Sequence, residues 1–171
     1  LGIPVEVVSL LHGHWQWQPN QQHTNIDMPD VSSTQQQAQK IIAPHDWGRE
    51  PTFLNCRAWQ NFHPPLPHEK ILVLGSGEFS WIPFLIAEKL EQQGAEVYYS
   101  STTRSPIKQG HAVESICSFK DNYGLNINNY AYNVKHQQFD RVLLVIETAQ
   151  DSVDPLLFEQ IKNLEIISYE S

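Results

Sequence analysis

Apolar and polar positions change rhythm along the chain, and each change marks a boundary. Residues 4–11 are mostly apolar and predict a strand or buried extended segment, closed by Gly13 and the run His14 to Trp17. From Gln18 to Gln39 the chain turns to Gln, Asn, Ser and Thr, with Pro19 and Pro29 and hardly an apolar side chain. Such a stretch has little to bury against the entropy of ordering it and predicts a linker or surface arm. Residues 40–67 mix Trp47, Phe53, Trp59 and Phe62 with prolines and close on Pro64, Pro65 and Pro67, an irregular arm ending in a proline hinge. Three units follow: 1–17, 18–67 and 68–171.

From Lys70 the pattern becomes regular. The continuous run Ile71–Leu74 stops at Gly75, as a parallel strand buried on both faces would. Ser80 is placed to cap a helix with Pro83 in its first turn. Ile82, Leu85, Ile86 and Leu90 recur at helical spacing, and Gly94 supplies the stop. Strands are predicted at 95–100, 141–146 and 165–168. The last is preceded by a helix opening on Asp154-Pro155, an N-cap followed by proline at the first helical position. A strand at 112–119 and a Tyr- and Asn-rich loop at 121–133 are weaker readings. Strand–helix–strand repeated twice predicts an α/β fold: a three-layer, Rossmann-like, mostly parallel sheet with an irregular N-terminal arm.

The formal net charge of −8, from 11 Lys and Arg against 19 Asp and Glu, argues against nucleic acid or an anionic membrane as partner, since neither finds a basic face to neutralise phosphates. With 40% hydrophobic residues there is enough for a packed core. Cys56 and Cys117 stand far apart without C-x-x-C spacing, which reads as ordinary cytosolic thiols and excludes a cysteine zinc cage or a disulfide framework. No apolar run reaches the roughly 18 residues of a membrane span. The first eleven residues lack the cationic start and cleavage site of a signal peptide. A cytoplasmic protein is expected, and the absence of an initial Met fits a C-terminal piece of something longer.

In an open parallel sheet, ligands bind outside the carboxyl ends of the strands. There the sequence places Gly75, Ser76, Gly77 and Glu78 after the first strand, Ser101 to Pro106 after the second, and Glu147 and Thr148 after the strand 141–146. Glycines allow close backbone approach to an anion, and an arginine among hydroxyls matches phosphate oxygens. Gly75, Ser76, Gly77, Thr103, Arg104 and Ser105 are therefore the expected phosphate-binding set, with Gly77 placed where a side chain would obstruct the ligand or the next helix. Glu78 and Glu147 are the candidate acid/base pair; as a carboxylate ending an apolar strand, Glu147 is otherwise a polar handle for a ligand hydroxyl or a metal ion, with the hydroxyl contact its role in a binding domain. Competing readings are a plain tight turn for the glycines and a salt bridge from Arg104 to Glu78 or Glu147. The dinucleotide fingerprint fails at Ser80, where glycine is wanted, and no acidic residue ends the second strand. NAD and methyl-donor cofactors are disfavoured, and no cofactor is expected. His12 and His14 form a weak i, i+2 pair, the remaining histidines lack ligand spacing, and no metal is expected. Cys117 reads as structural.

These residues form a recognisable series: 73–79, then Pro83 and Phe84, then 101–106, then Phe119, Asp121, Tyr123, Gly124, Tyr132 and Asn133. The series, over about residues 68–171, resembles the bacterial TRSP domain, named for the motif seen here at Thr103, Arg104, Ser105 and Pro106. The resemblance implies a domain that follows a phosphoribosyltransferase-like domain in proteins of tellurite-resistance-associated gene clusters. Residues 5–17 are similar to the end of that upstream domain. The acidic pair and Thr-rich phosphate loop of a transferase are missing, so the resemblance does not extend to transferase activity. The expected function is a binding domain for a phosphorylated nucleoside-like or ribose-phosphate metabolite, accessory to a phosphoribosyltransferase in the same chain or a neighbour. The alternatives are an enzyme, transferase or hydrolase, acting at the same edge, and a structural or oligomerisation domain.

Overall fold

A computed structural model describes residues 11, 13–16, 18, 63–134 and 139–169. The readings made for 1–10, for most of the arm, and for His12, His45 and Cys56 lie outside the described residues.

The elements run β1 (Lys70–Gly75), α1 (Trp81–Gln92), β2 (Glu96–Ser101), β3 (Ile116–Lys120), β4 (Asn128–Tyr132), β5 (Arg141–Ile146), a 3₁₀ turn at Gln150–Ser152, α2 (Pro155–Gln160) and β6 (Leu164–Ser168). Four strands form a parallel sheet in the order β2-β1-β5-β6, and β3 and β4 form a separate antiparallel pair. The molecule is thus a mixed α/β fold. The central strands β1 and β5 are the two continuous apolar runs, buried from Ile71 to Gly75 and from Val142 to Ile146. The edge strand β2 has only Val97 half-buried and its other five residues exposed.

Side chains alternate across the sheet and build two cores. Ile71, Val73, Leu143 and Val145 face α1 through Ile82, Ile86 and Leu90. Leu72, Leu74, Val142 and Leu144 face the other way, against Leu157 and Ile161 at α2 and against Cys117, Phe119 and Ala131 of the antiparallel pair. The winding explains this split. From the centre, β1–α1–β2 grows outward one way and β5–α2–β6 the other, and right-handed crossovers in opposite directions lay their helices on opposite faces. Cys117 is fully buried, in keeping with its structural reading. Among the described residues, no helix is long and apolar enough to cross a membrane.

Local signals act where expected, with some differences. Ser80 occupies the N-cap of α1 but makes no side-chain cap bond. Gly94 adopts φ +97° just past the C-cap Gln93 and donates its N–H to Glu91 O at 2.9 Å. The Asp154 side chain accepts from Leu156 N at the start of α2. The loop expected at 121–133 is corrected: it ends at 127, and β4 follows. The strand expected at 112–119 starts later, at Ile116. Asn128 and Asn129 hid β4, because asparagine is poor in strands. Pairing with β3 and with Thr103 satisfies that backbone all the same.

Candidate functional site

The chain departs from the middle of the sheet in both directions between β1 and β5, the switch point where such sheets open a crevice. Asn122 fills its base. The Ser76 hydroxyl donates to Asn122 Oδ1 at 2.6 Å, and Asn122 Nδ2 donates to Thr148 Oγ1 at 2.8 Å, tying the ends of β1 and β5 together. Asp121 sets the loop above: Oδ2 accepts from Tyr123 N and Leu125 N, and Oδ1 accepts from Ile127 N at 2.7 Å. Tyr123 is thereby held across the switch point. Its phenol lies 3.1 Å from Ser76 O on one side and 3.0 Å from Glu147 Oε1 on the other, with one proton for two acceptors.

Beside this bridge lies a cleft of about 500 Å³. Gly77 and Glu78 line it from the turn after β1, Ser101 to Ser105 from the end of β2, and Glu147 from the end of β5, with Tyr123 and Asn129 completing the wall. The three segments singled out in the sequence do converge. Gly75 and Ser76 stand behind the lining. Gly75 is buried in β1, with its carbonyl accepting from Thr102 N, and Ser76 is the anchor of Asn122.

The glycine turn differs from its expected role. The Gly77 N–H already donates to Thr102 Oγ1 at 2.9 Å. A side chain at Gly77 would meet no atom within 4 Å, so it would not collide with α1; its φ of +59° is what calls for glycine. Gly75 is the sterically tight position, where a Cβ would lie 2.7 Å from Phe79 O.

The loop after β2 is rigidly held. Thr103 exchanges two backbone hydrogen bonds with Tyr130 of β4. The Tyr132 hydroxyl donates to Ser105 O and accepts from Ile107 N, both at 2.7 Å. Tyr130 and Tyr132, which the sequence placed in a loop, are instead in the strand that braces the loop after β2. Arg104 projects from it, exposed. The ion pairs among the described residues are Lys70–Glu96, Arg141–Glu69 and Arg141–Glu165, so neither Glu78 nor Glu147 neutralises Arg104. The salt-bridge reading of Arg104 falls with that.

Burial raises the Glu147 pKa above the ordinary carboxylate range, against the opposing hydrogen bond from Tyr123. Burial first, and the Glu147 charge second, push the Tyr123 phenol up, while the positive charge of Arg104 works against them. A carboxyl whose pKa is higher folded than unfolded favours the fold while protonated, and this contribution is lost as pH rises through the folded value. Glu147→Gln is therefore expected to raise the melting temperature at neutral pH and to leave it unchanged at about pH 4 and below. Melting curves at both pH values check this; a gain that persists in acid would trace to something other than the charge.

The family model described as "TRSP domain C terminus to PRTase_2" matches residues 55–161. The chain belongs to the TRSP domain family. No curated protein and no solved structure matches the chain. The family motif, Thr103 to Pro106, is the loop that carries Arg104 into the cleft, and the description places the TRSP domain C-terminal to a phosphoribosyltransferase-type domain. Among the described residues, no three His, Cys, Asp or Glu side chains gather as a metal site requires. Sequence reasoning placed Thr102 at the strand end but outside the phosphate-binding set, and passed over Asn129 in the wall and Asn122 beneath it; all three are buried polar residues. A buried polar residue looks like a loop residue until its partner is known. The one local hint was Asp121 followed by Gly124, a side chain able to accept from the backbone ahead of a turn.

Proposed function

We propose that the TRSP domain binds a phosphorylated small molecule, nucleoside-like or a ribose phosphate, in the cleft at the strand ends, in the cytoplasm beside a phosphoribosyltransferase domain. We read the sheet, with α1 on one face and α2 plus the antiparallel pair on the other, as a small three-layer relative of the Rossmann arrangement. The observation carrying the reading is Arg104: a guanidinium without a carboxylate partner among the described residues, on a braced loop, flanked by Thr103 and Ser105. The Thr103 oxygen accepts from Ser105 N at 3.1 Å, which leaves both hydroxyl protons available to an anion. With the Gly77 amide engaged, the phosphate role rests on these three side chains more than on the glycine turn.

The test is a titration of inorganic phosphate and of ribose 5-phosphate into the parent, Arg104→Lys and Arg104→Ala. Lys keeps the charge but loses the fork, so affinity falls by several-fold; Ala is expected to lose about 10- to 100-fold, the worth of a charged hydrogen bond. Because Arg104 is exposed and unpaired, melting should be unchanged within about 0.5 kcal/mol. Binding that survives Arg104→Ala, or a parent that binds neither compound, overturns the reading. A second reading, an enzyme using Glu147 as acid/base, draws on the raised Glu147 pKa in a cleft. Glu78 would be its exposed counterpart across the cleft. Turnover of a phosphate ester that Glu147→Gln abolishes would favour it.

A further inference from the structure

The cleft is polarised, and the two ends ask for different chemistry. On the β2 side every free side-chain group donates or both donates and accepts: Arg104, with the hydroxyls of Ser101, Thr103 and Ser105. On the β5 side stands a carboxylate. Glu147 Oε1 faces the Tyr123 phenol at 3.0 Å, and Oε2 accepts no hydrogen bond among the described residues. β2 and β5 flank β1 on either side, so their ends lie about 10 Å apart, two strand spacings. Arg104 and Glu147 both line this cleft of about 500 Å³ without forming an ion pair, and that volume has room for a phosphate and about one pentose ring. A second phosphate at Glu147 would meet a negative charge; a half-buried carboxylate oxygen calls for a donor.

Resting on the phosphate reading above, we infer that Glu147 makes the cleft selective for a polyhydroxylated phosphate monoester of pentose size, its phosphate at Arg104 and a hydroxyl donating to Glu147 Oε2. A hydroxyl fits better than an ammonium. Besides the two ends, the lining holds the exposed Glu78 carboxylate, which accepts, and the Thr102 hydroxyl and buried Asn129 amide, which both give and take hydrogen bonds; a polyhydroxylated ligand can donate to the first and exchange with the others. Tyr123 is a positioning residue here: its phenol lies 3.0 Å from Glu147 Oε1, and donation to that oxygen holds the carboxylate and leaves Oε2 for the ligand.

The experiment compares ribose 5-phosphate, inorganic phosphate and phosphoethanolamine by calorimetry on the full chain, its Glu147→Gln variant and its Glu147→Asp variant. In the parent, ribose 5-phosphate is expected to bind at least tenfold tighter than inorganic phosphate. Glu147→Gln should remove most of that preference by weakening ribose 5-phosphate alone, leaving inorganic phosphate equal or slightly tighter. Glu147→Asp keeps the charge but shortens the reach by one methylene, and should lower the preference by several-fold; it guards against a Gln variant that fails to fold. Equal binding of the two phosphates in the parent, or a preference that survives both variants, overturns the inference while leaving phosphate binding at Arg104 in place. Phosphoethanolamine binding tighter than ribose 5-phosphate overturns the hydroxyl in favour of an amine. A parent that binds none of the three overturns both readings.

Discussion

Gly75→Ala is expected to destabilise the fold by about 3 kcal/mol, the upper part of the range for forcing an extra methyl into a packed interior. The added Cβ would lie 2.7 Å from Phe79 O, 3.3 Å from Pro83 Cγ and 3.4 Å from Ser80 Cα. None of these is the end of a flexible chain. The first is backbone, the second a proline ring in the first turn of α1, the third a Cα at its N-cap. Relief requires moving the β1–α1 turn, and that turn carries Gly77 into the cleft and Ser76 against Asn122. Urea unfolding should show a lower midpoint with an unchanged slope. Gly77→Ala is the control. It has open space and a φ of +59°, so it costs only the left-handed backbone penalty of about 1–2 kcal/mol. A Gly75→Ala protein as stable as the parent, or less affected than Gly77→Ala, would show that the turn yields freely and that its position does not define the cleft.

Asp121→Ala is expected to cost a similar amount, about 3 kcal/mol, by a different route. One buried carboxylate accepts from three backbone amides, those of Tyr123, Leu125 and Ile127. Its removal leaves three donors without their partner, and solvent recovers only part of the loss, because Ile127 is itself buried. Asp121→Asn should fall between. Both oxygens of the native carboxylate accept from N–H groups, so either orientation of an amide sets its NH₂ against a donor. The functional consequence reaches Glu147. With the loop loosened, Tyr123 no longer spans Ser76 and Glu147, and preference for ribose 5-phosphate over inorganic phosphate should fall even where the protein stays folded. Chemical denaturation of both variants, with titrations well below their melting points, measures the two effects separately. An Asp121→Ala variant within about 0.5 kcal/mol of the parent would mean that the loop stands without its carboxylate.

Much of the frame was legible from residue order because local physics dictates it. A strand covered on both faces can afford no polar residue, so Ile71–Leu74 and Val142–Ile146 announced themselves. Asp154-Pro155 set the start of α2, and Gly94 the end of α1, through backbone conformations that few other residues supply. Parallel strands with intervening helices also imply an edge where the loops converge, and residue order alone puts Gly77, Arg104 and Glu147 at that edge.

What the tertiary structure alone decided is how polar groups pair across the chain. The hydrogen bond between Gly77 N and Thr102 Oγ1 joins residues 25 apart, and that between Ser76 and Asn122 joins residues 46 apart. No periodicity encodes either, yet the first occupies an amide that the sequence offered to a phosphate and the second explains a buried asparagine. The strand Asn128–Tyr132 was hidden for the same reason. Its side chains look like a loop, and only the partners at β3 and Thr103 make it a strand. Whether Arg104 was spent on a salt bridge or left facing the cleft likewise depended on side chains brought near from three strands. Apolar burial writes itself into local pattern because every buried position needs the same kind of residue, whereas a polar group's role depends on one particular partner that the fold must deliver.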